Sequence, residues 1–255
     1  MRNSQRFFQI AAFIAFTMRL LFTLLLLAAL HLPAQEEAPP PLTEYEGRVI
    51  ARTMHWKGAE WLMRRVREEE EGPGQMREQL HVKPGMVVCD MGCGNGYHTL
   101  PLAEMVGENG KVYAVDVQPE MIEMLKANIE RNGVKNIVPI NGLYHDPKLP
   151  PNTCDMILLV DVYHEFSHPV QMLAGMRAAL KPDGQLVLCE FRAEDKSVPI
   201  KPEHKMSKAQ INKEMNANGF KLVREYEGLP WQHLMFFGKA ETGAAVPVPM
   251  PAPSK

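Results

Sequence analysis

Asp90, Gly92, Gly94 and Gly96 stand at alternate positions directly after a short apolar run, Val87-Val88-Cys89. Glycines let a backbone turn sharply and come close to a ligand. A helix-like segment, Tyr97 to Val106, follows, and a helix N-terminus offers free N–H groups and a positive dipole end. The next apolar run, Lys111 to Val115, closes on a second acid, Asp116. An acid at the tip of a second strand can accept hydrogen bonds from both hydroxyls of a ribose. These residue types at this spacing describe a nucleoside site on an open α/β sheet. A second reactive stretch, Asp161-Val162-Tyr163-His164-Glu165-Phe166-Ser167-His168-Pro169, follows a continuous apolar run. His164 is the first candidate for a general base or substrate orienter, because imidazole titrates near neutrality. Glu165 is the second and could instead bind a cationic substrate or orient His164. The competing reading for His164 is a structural histidine held by its neighbours, and His168 reads as a cap of the next helix.

The dinucleotide fingerprint is G-x-G-x-x-G. Here the third glycine comes one residue early and Tyr97 occupies the place of the expected one. Asp90, two residues before the first glycine, is a poor neighbour for a pyrophosphate and a good one for an ammonium. The pattern D-x-G-x-G-x-G, with Asp116 beyond it, resembles motif I and the following acidic motif of class I S-adenosylmethionine-dependent methyltransferases, over roughly Lys83 to Lys239. The resemblance implies S-adenosyl-L-methionine as cofactor. It implies that Gly92, Gly94 and Gly96 clear space for the amino-acid part, that Asp90 orients the ammonium and that Asp116 takes the ribose. Relatives place a Gly-Asp pair after the third strand, whose acid bonds the adenine amino group. Here Gly142 precedes Leu143, which leaves Asn141 or Asp146 for that contact. Asp161, at the fourth strand's tip, completes the cofactor set, and His164 and Glu165 would flank the methyl group.

The implied reaction is in-line displacement at the sulfonium, moving a methyl group to an unidentified small-molecule or protein acceptor. Such a transfer can run on alignment and proximity without a base. Two alternatives stand beside it. Gly94-Asn95-Gly96-Tyr97-His98-Thr99 is similar to protein-isoaspartate carboxyl methyltransferases, and an exported domain could bind the nucleoside without catalysis. A reductase is disfavoured by the glycine spacing. No metal ligands are assigned.

The elements that must position these residues alternate. Strands are predicted at Met86–Asp90, Lys111–Asp116, Asn136–Ile140, Asp155–Asp161 and Gln185–Phe191. Helices are predicted at Tyr97–Val106, Glu120–Asn132, Val170–Leu180 and Lys208–Asn218, with two closing strands at Lys221–Tyr226 and Gln232–Lys239. Repeated βα units imply a doubly wound parallel sheet with helices on both faces. The tight last connection implies an antiparallel final strand. The expected fold is therefore the Rossmann-like seven-stranded methyltransferase sheet. Glu190 with Arg192, and Pro202 to Met206, would form a substrate wall. Trp231, Gln232 and His233 would lie on the opposite side.

Net charge is −2 with both signs interspersed, which gives no electrostatic nucleic-acid signal. Cys89, Cys93, Cys154 and Cys189 lack zinc-ligand or C-x-x-C spacing and read as core thiols. Residues 1–35 read as a signal peptide or membrane anchor; Met18-Arg19 and the leucines after it would by themselves make a complete signal. Arg2, Arg6 and Arg19 before the apolar core and Glu36 and Glu37 after it would send the domain across the membrane to a periplasmic location. If that segment is inactive, the enzyme stays in the cytoplasm. A Pro-rich linker is expected at 36–44 and a helical lead-in, a possible lid, at 45–82. The methyltransferase domain is expected at 83–240 and a disordered tail at 241–255.

Overall fold

The structure, a computed structural model, describes residues 38–241. The apolar segment 1–35 and the tail from 242 onward lie outside the described residues.

Seven strands form one sheet. They are β3 (Val87–Met91), β4 (Lys111–Asp116), β5 (Ile137–Asn141), β6 (Cys154–Val160), β7 (Leu180–Phe191), β8 (Phe220–Tyr226) and β9 (Gln232–Lys239). Their order is β5-β4-β3-β6-β7-β9-β8. The first five are parallel, and β9 runs antiparallel to both β7 and β8. The chain winds outward from β3 through β4 to β5, then returns to β6 on the other side of β3. The crevice at the carboxyl ends beside β3 is therefore the place where such a sheet takes its ligand.

Side chains on a strand alternate between faces, and two cores form accordingly. Cys89, Ile157, Leu159, Leu186 and Leu188 pack on one face with α6 (Pro169–Ala179) and α7 (Lys208–Ala217). Val88, Leu158, Val187 and Phe236 pack on the other with α3 (Pro73–Gln79), α4 (Thr99–Val106) and α5 (Pro119–Asn132). The uninterrupted apolar run of β6 follows from burial on both faces. Lys181-Pro182-Asp183-Gly184 belongs to a β7 that starts directly after α6, ahead of the predicted strand at Gln185.

The lead-in expected to be helical does not form one continuous helix. A short hairpin, β1 (Glu44–Tyr45) with β2 (Arg48–Val49), opens it. A turn at Trp56–Gly58, α1 (Ala59–Leu62) and α2 (Arg67–Glu71) then lead to α3. Arg67 turns inward, donating to the Leu62 carbonyl at 3.0 Å and to Glu71 Oε2 at 2.6 Å, and the chain between α1 and α2 folds back around it. The hairpin is fastened to the main body by a buried charge. Arg48 donates to both oxygens of Glu214 at 2.7 and 3.1 Å, and the Tyr163 hydroxyl donates to the same carboxylate at 2.7 Å. Arg48 also donates to the His164 carbonyl at 2.9 Å.

Removing one partner of a buried ion pair leaves the other charge uncompensated, which costs about 3 kcal/mol or more. Arg48→Met is therefore expected to lower unfolding stability by about that amount in chemical denaturation. A second change, Glu214→Gln, should restore part of it. A loss below about 0.5 kcal/mol would show that the pair does not hold the lead-in.

Candidate active site

A cavity of about 410 Å³ lies at the carboxyl edge of β3, β4, β6 and β7, with the lead-in across it. Its floor is the glycine loop. Gly92 and Cys93 donate their N–H groups to the Val115 carbonyl at 2.8 and 3.0 Å. Asp116 finishes the attachment: Oδ2 accepts the Gly94 N–H at 3.0 Å and Oδ1 the Gln118 N–H at 2.8 Å. The loop is thus hung from the tip of β4. Gly92 has a φ of 72°, and a Cβ there would lie 2.2 Å from Val162, so only glycine fits. Gly94 lines the cavity as Gly92 does, whereas Gly96 packs on Leu125 outside it.

Asp90 does not line the cavity. It is buried beneath the loop and accepts a hydrogen bond from Thr99 Oγ1 at 2.6 Å, joining β3 to α4. Burial pushes its carboxyl up to about 6, against the Thr99 hydrogen bond. Asp116 is also raised by burial, opposed by its two backbone donors. Asn141 donates to the carbonyls of Asp116 and Val117 at 3.0 and 3.1 Å, and Gly142 donates its N–H to the Asp116 carbonyl. Asp146 is exposed and accepts the Lys148 N–H. None of these three borders the cavity; Leu143 and Tyr144 take that place. Both side chains border the cavity while remaining exposed, and the bonds of Asn141 serve the strand tips.

Asp161 borders the cavity directly. It sits in the left-handed region, with φ 53°, just past the end of β6. One oxygen accepts from Gln232 Nε2 at 2.6 Å; the other is buried with no partner among the described residues. Burial first, then Glu71 and Glu190, raise its carboxyl well above the usual range, against the Arg67 guanidinium. Gln232 therefore belongs to the site, contrary to its expected place on the opposite side. The reason is strand direction: β9 is antiparallel, so its first residue pairs with Phe191 at the carboxyl end of β7.

His164 is buried, and both ring nitrogens are engaged. Nδ1 lies 2.5 Å from Glu190 Oε2 and Nε2 lies 3.0 Å from His204 Nδ1. A carboxylate can only accept, so His164 Nδ1 donates to it, and the other nitrogen faces His204. Burial works against a charge on this ring, yet Glu190 holds its pKa above the ordinary value. Burial first, then His164, lower that of His204. Glu165, pushed up to about 7 by burial, accepts the Met54 N–H at 3.2 Å. His204 Nδ1 lies 3.9 Å from Glu165 Oε1. His164 thus reaches an acceptor only in company with His204, which the sequence offered merely as part of a wall. Of the expected wall, Glu190 stands behind His164, and Arg192 donates to the carbonyls of Glu227 and Pro230 instead of facing the cavity. His168 makes no side-chain cap; it contacts the Pro39 carbonyl at 2.7 Å and ties down the lead-in. Thr53, Met54, Trp61, Leu62 and Arg67 of the lead-in close the cavity.

Residues 82–235 match the model of a protein family described as "Methyltransferase domain". The chain is similar to a solved SAM-dependent methyltransferase from Aquifex aeolicus, with a TM-score of 0.68 and 28% identity over 72% of this chain and 98% of that one. It is 34% identical over 113 residues to a protein-L-isoaspartate O-methyltransferase of Pyrococcus horikoshii, covering 44% of this chain and 48% of that protein. It is 31% identical over 111 residues to a demethylmenaquinone methyltransferase of Bacillus mycoides, covering 44% and 47%. The chain spans half or less of the length of these curated relatives.

The raised carboxyl of Asp90 has a stability consequence. Below pH about 4 it is protonated whether folded or not; above about 6 it is ionised in both states and carries its full burial cost. Stability from this group is therefore lost as pH rises from about 4 to about 6, by at most about 3 kcal/mol. In denaturant unfolding at both ends of that window, Asp90→Asn is expected to show a smaller decline than the parent chain. Equal declines would mean that Asp90 is not held in this way.

Proposed function

The chain belongs to the methyltransferase-domain family, with S-adenosylmethionine as its cofactor, and on that footing we propose that it methylates a small acceptor at the end of the cavity where His164, Glu165 and His204 meet. The observation that carries this reading is Asp161, which borders the cavity together with Asp116 and keeps one buried carboxyl oxygen without a partner among the described residues. A buried acceptor without a donor is costly, and a cationic ligand supplies what is missing. The residues fit this cofactor. It carries a sulfonium and an ammonium, and the surrounding acids Asp116, Asp161 and Glu165 suit cations. They would repel the pyrophosphate of a dinucleotide.

When bound, the cofactor supplies an electrophilic methyl group on sulfur. The protein's own groups then divide the work. Asp116 would receive the ribose hydroxyls while keeping its bonds to the glycine loop. Asp161 would receive the ammonium, and Arg67, which also borders the cavity, the carboxylate. Leu143, Tyr144, Val117 and Met121 offer apolar cover for the base. The lead-in keeps water out, and Phe166, Met172 and Ile200 give the acceptor end apolar walls around its ionisable cluster. A cavity of about 410 Å³ is within the range of small-molecule sites, which supports an acceptor with a compact apolar body and one nucleophilic atom. Hydrogen bonds to a charged group contribute about 1.5–3 kcal/mol each. Asp116→Ala should thus weaken binding of both S-adenosylmethionine and S-adenosylhomocysteine by tenfold or more in calorimetry, with the fold retained. Unchanged affinity in a folded variant would refute the ribose contact.

A further inference from the structure

Three side chains at the acceptor end share a geometry that hydrogen bonding alone does not require. One ligand atom from each of His164, His204 and Glu165 lies within 4.8 Å of the other two; His204 Nδ1 is 3.9 Å from Glu165 Oε1, and all three residues border the cavity. His164 Nε2 and His204 Nδ1 are 3.0 Å apart. Two ligands at about 2.1 Å from one ion, in neighbouring coordination positions, are separated by about 3.0–3.4 Å. Behind them stands Glu190, fully buried, accepting from His164 Nδ1 at 2.5 Å and from the Tyr163 N–H at 2.8 Å. That bond fixes the tautomer of His164 with the lone pair of Nε2 toward the cavity, which is the arrangement by which a carboxylate prepares a histidine for a metal.

We propose that His164, Glu165 and His204 form a divalent-cation site. Two imidazoles and one carboxylate select ions of borderline softness, such as Zn²⁺ or Co²⁺. Three protein ligands leave at least one coordination position open, and the open side faces the cavity. An acceptor hydroxyl or thiol occupies that position as the anion, its proton passing to solvent as it binds the ion. Its electron pair then forms the new bond to the methyl carbon, the carbon–sulfur bond breaks and its pair stays on sulfur, leaving a neutral thioether. This role in acceptor activation rests on the methyl-transfer reading; the cation site itself does not. The bonding needs only that His204 carry its ring hydrogen on Nε2 instead of Nδ1, so that the Nδ1 lone pair is free for the ion. His204 sits on a short turn, Pro202–His204, and is partly exposed, so its ring has room to move.

The test uses the full-length chain without a histidine tag, stripped of metal by a chelator and titrated with Co²⁺. One Co²⁺ per chain is expected, with a visible d–d absorption band that Zn²⁺ abolishes. His204→Ala and Glu165→Gln should each weaken Co²⁺ binding at least tenfold. Glu190→Gln, which would not touch the ion, should weaken it about tenfold through loss of the His164 orientation. A far-UV circular dichroism spectrum and a denaturation midpoint like those of the parent chain show that the fold is intact in these variants. Absence of the band, or a Co²⁺ affinity unchanged in His204→Ala, overturns the site and leaves the three residues as a hydrogen-bonded relay. A parent chain that binds Co²⁺ but not S-adenosylhomocysteine would instead overturn the methyl-transfer reading and leave the cation site standing.

Discussion

Burial of carboxyl groups at one edge of the sheet is the constraint that the rest of this molecule answers. Asp90, Asp116, Asp161 and Glu190 stand at or just beyond the carboxyl ends of β3, β4, β6 and β7; Asp90, Asp116 and Glu190 are buried and Asp161 is half-buried. Glu165 joins them from the following turn, mostly buried as well. An ionised carboxylate taken from water without partners is very costly, so each is given donors: Thr99 for Asp90, two backbone N–H groups for Asp116, Gln232 for Asp161, Met54 for Glu165, and His164 with Tyr163 for Glu190. One oxygen of Asp161 remains without a donor. The site is thus short of positive charge and donors, which is the condition under which a cationic ligand binds with gain.

The same constraint explains the architecture around the site. The lead-in crosses the cavity, and what it brings there is mostly donors: the Met54 N–H to Glu165, the Trp56 N–H to the Gln118 side chain beside Asp116, and the Arg67 guanidinium near Asp161. Its own attachment, Arg48 on Glu214, is likewise a cation set against a buried acid. The antiparallel last strand contributes by direction, since only a reversed β9 starts at the carboxyl edge and brings Gln232 to Asp161. Closure of the site and stability of the fold therefore draw on the same bonds.

Much of this was legible from local pattern. Strands buried on both faces read as apolar runs, and the glycine loop with Asp90 and Asp116 announced a nucleoside site, because those features are contiguous in the chain. The parallel, doubly wound character of the sheet followed from the alternation of elements, and its antiparallel end from the tight last connection. What could not be read depends on long-range meetings. His204 lies 40 positions from His164 and could be read only as part of a wall; Gln232 lies 71 from Asp161, and nothing in the local sequence marks either meeting. Asn141 and Asp146 were expected at the adenine because of where they stand after a strand. Asn141 is instead spent on the carbonyls of Asp116 and Val117, and Leu143 and Tyr144 border the cavity. The lead-in is broken into short helices at Ala59–Leu62 and Arg67–Glu71, with Arg67 bonded back to the Leu62 carbonyl and to Glu71.

A crystal structure of the full-length chain with S-adenosylhomocysteine tests the account most directly. The ribose is expected on Asp116 and the ammonium on the free oxygen of Asp161, with the sulfur facing the end where His164, Glu165 and His204 meet. A ligand bound in the reverse sense, or an ammonium held elsewhere while Asp161 stays unpartnered, would contradict the claim that buried acids at the sheet edge define this site.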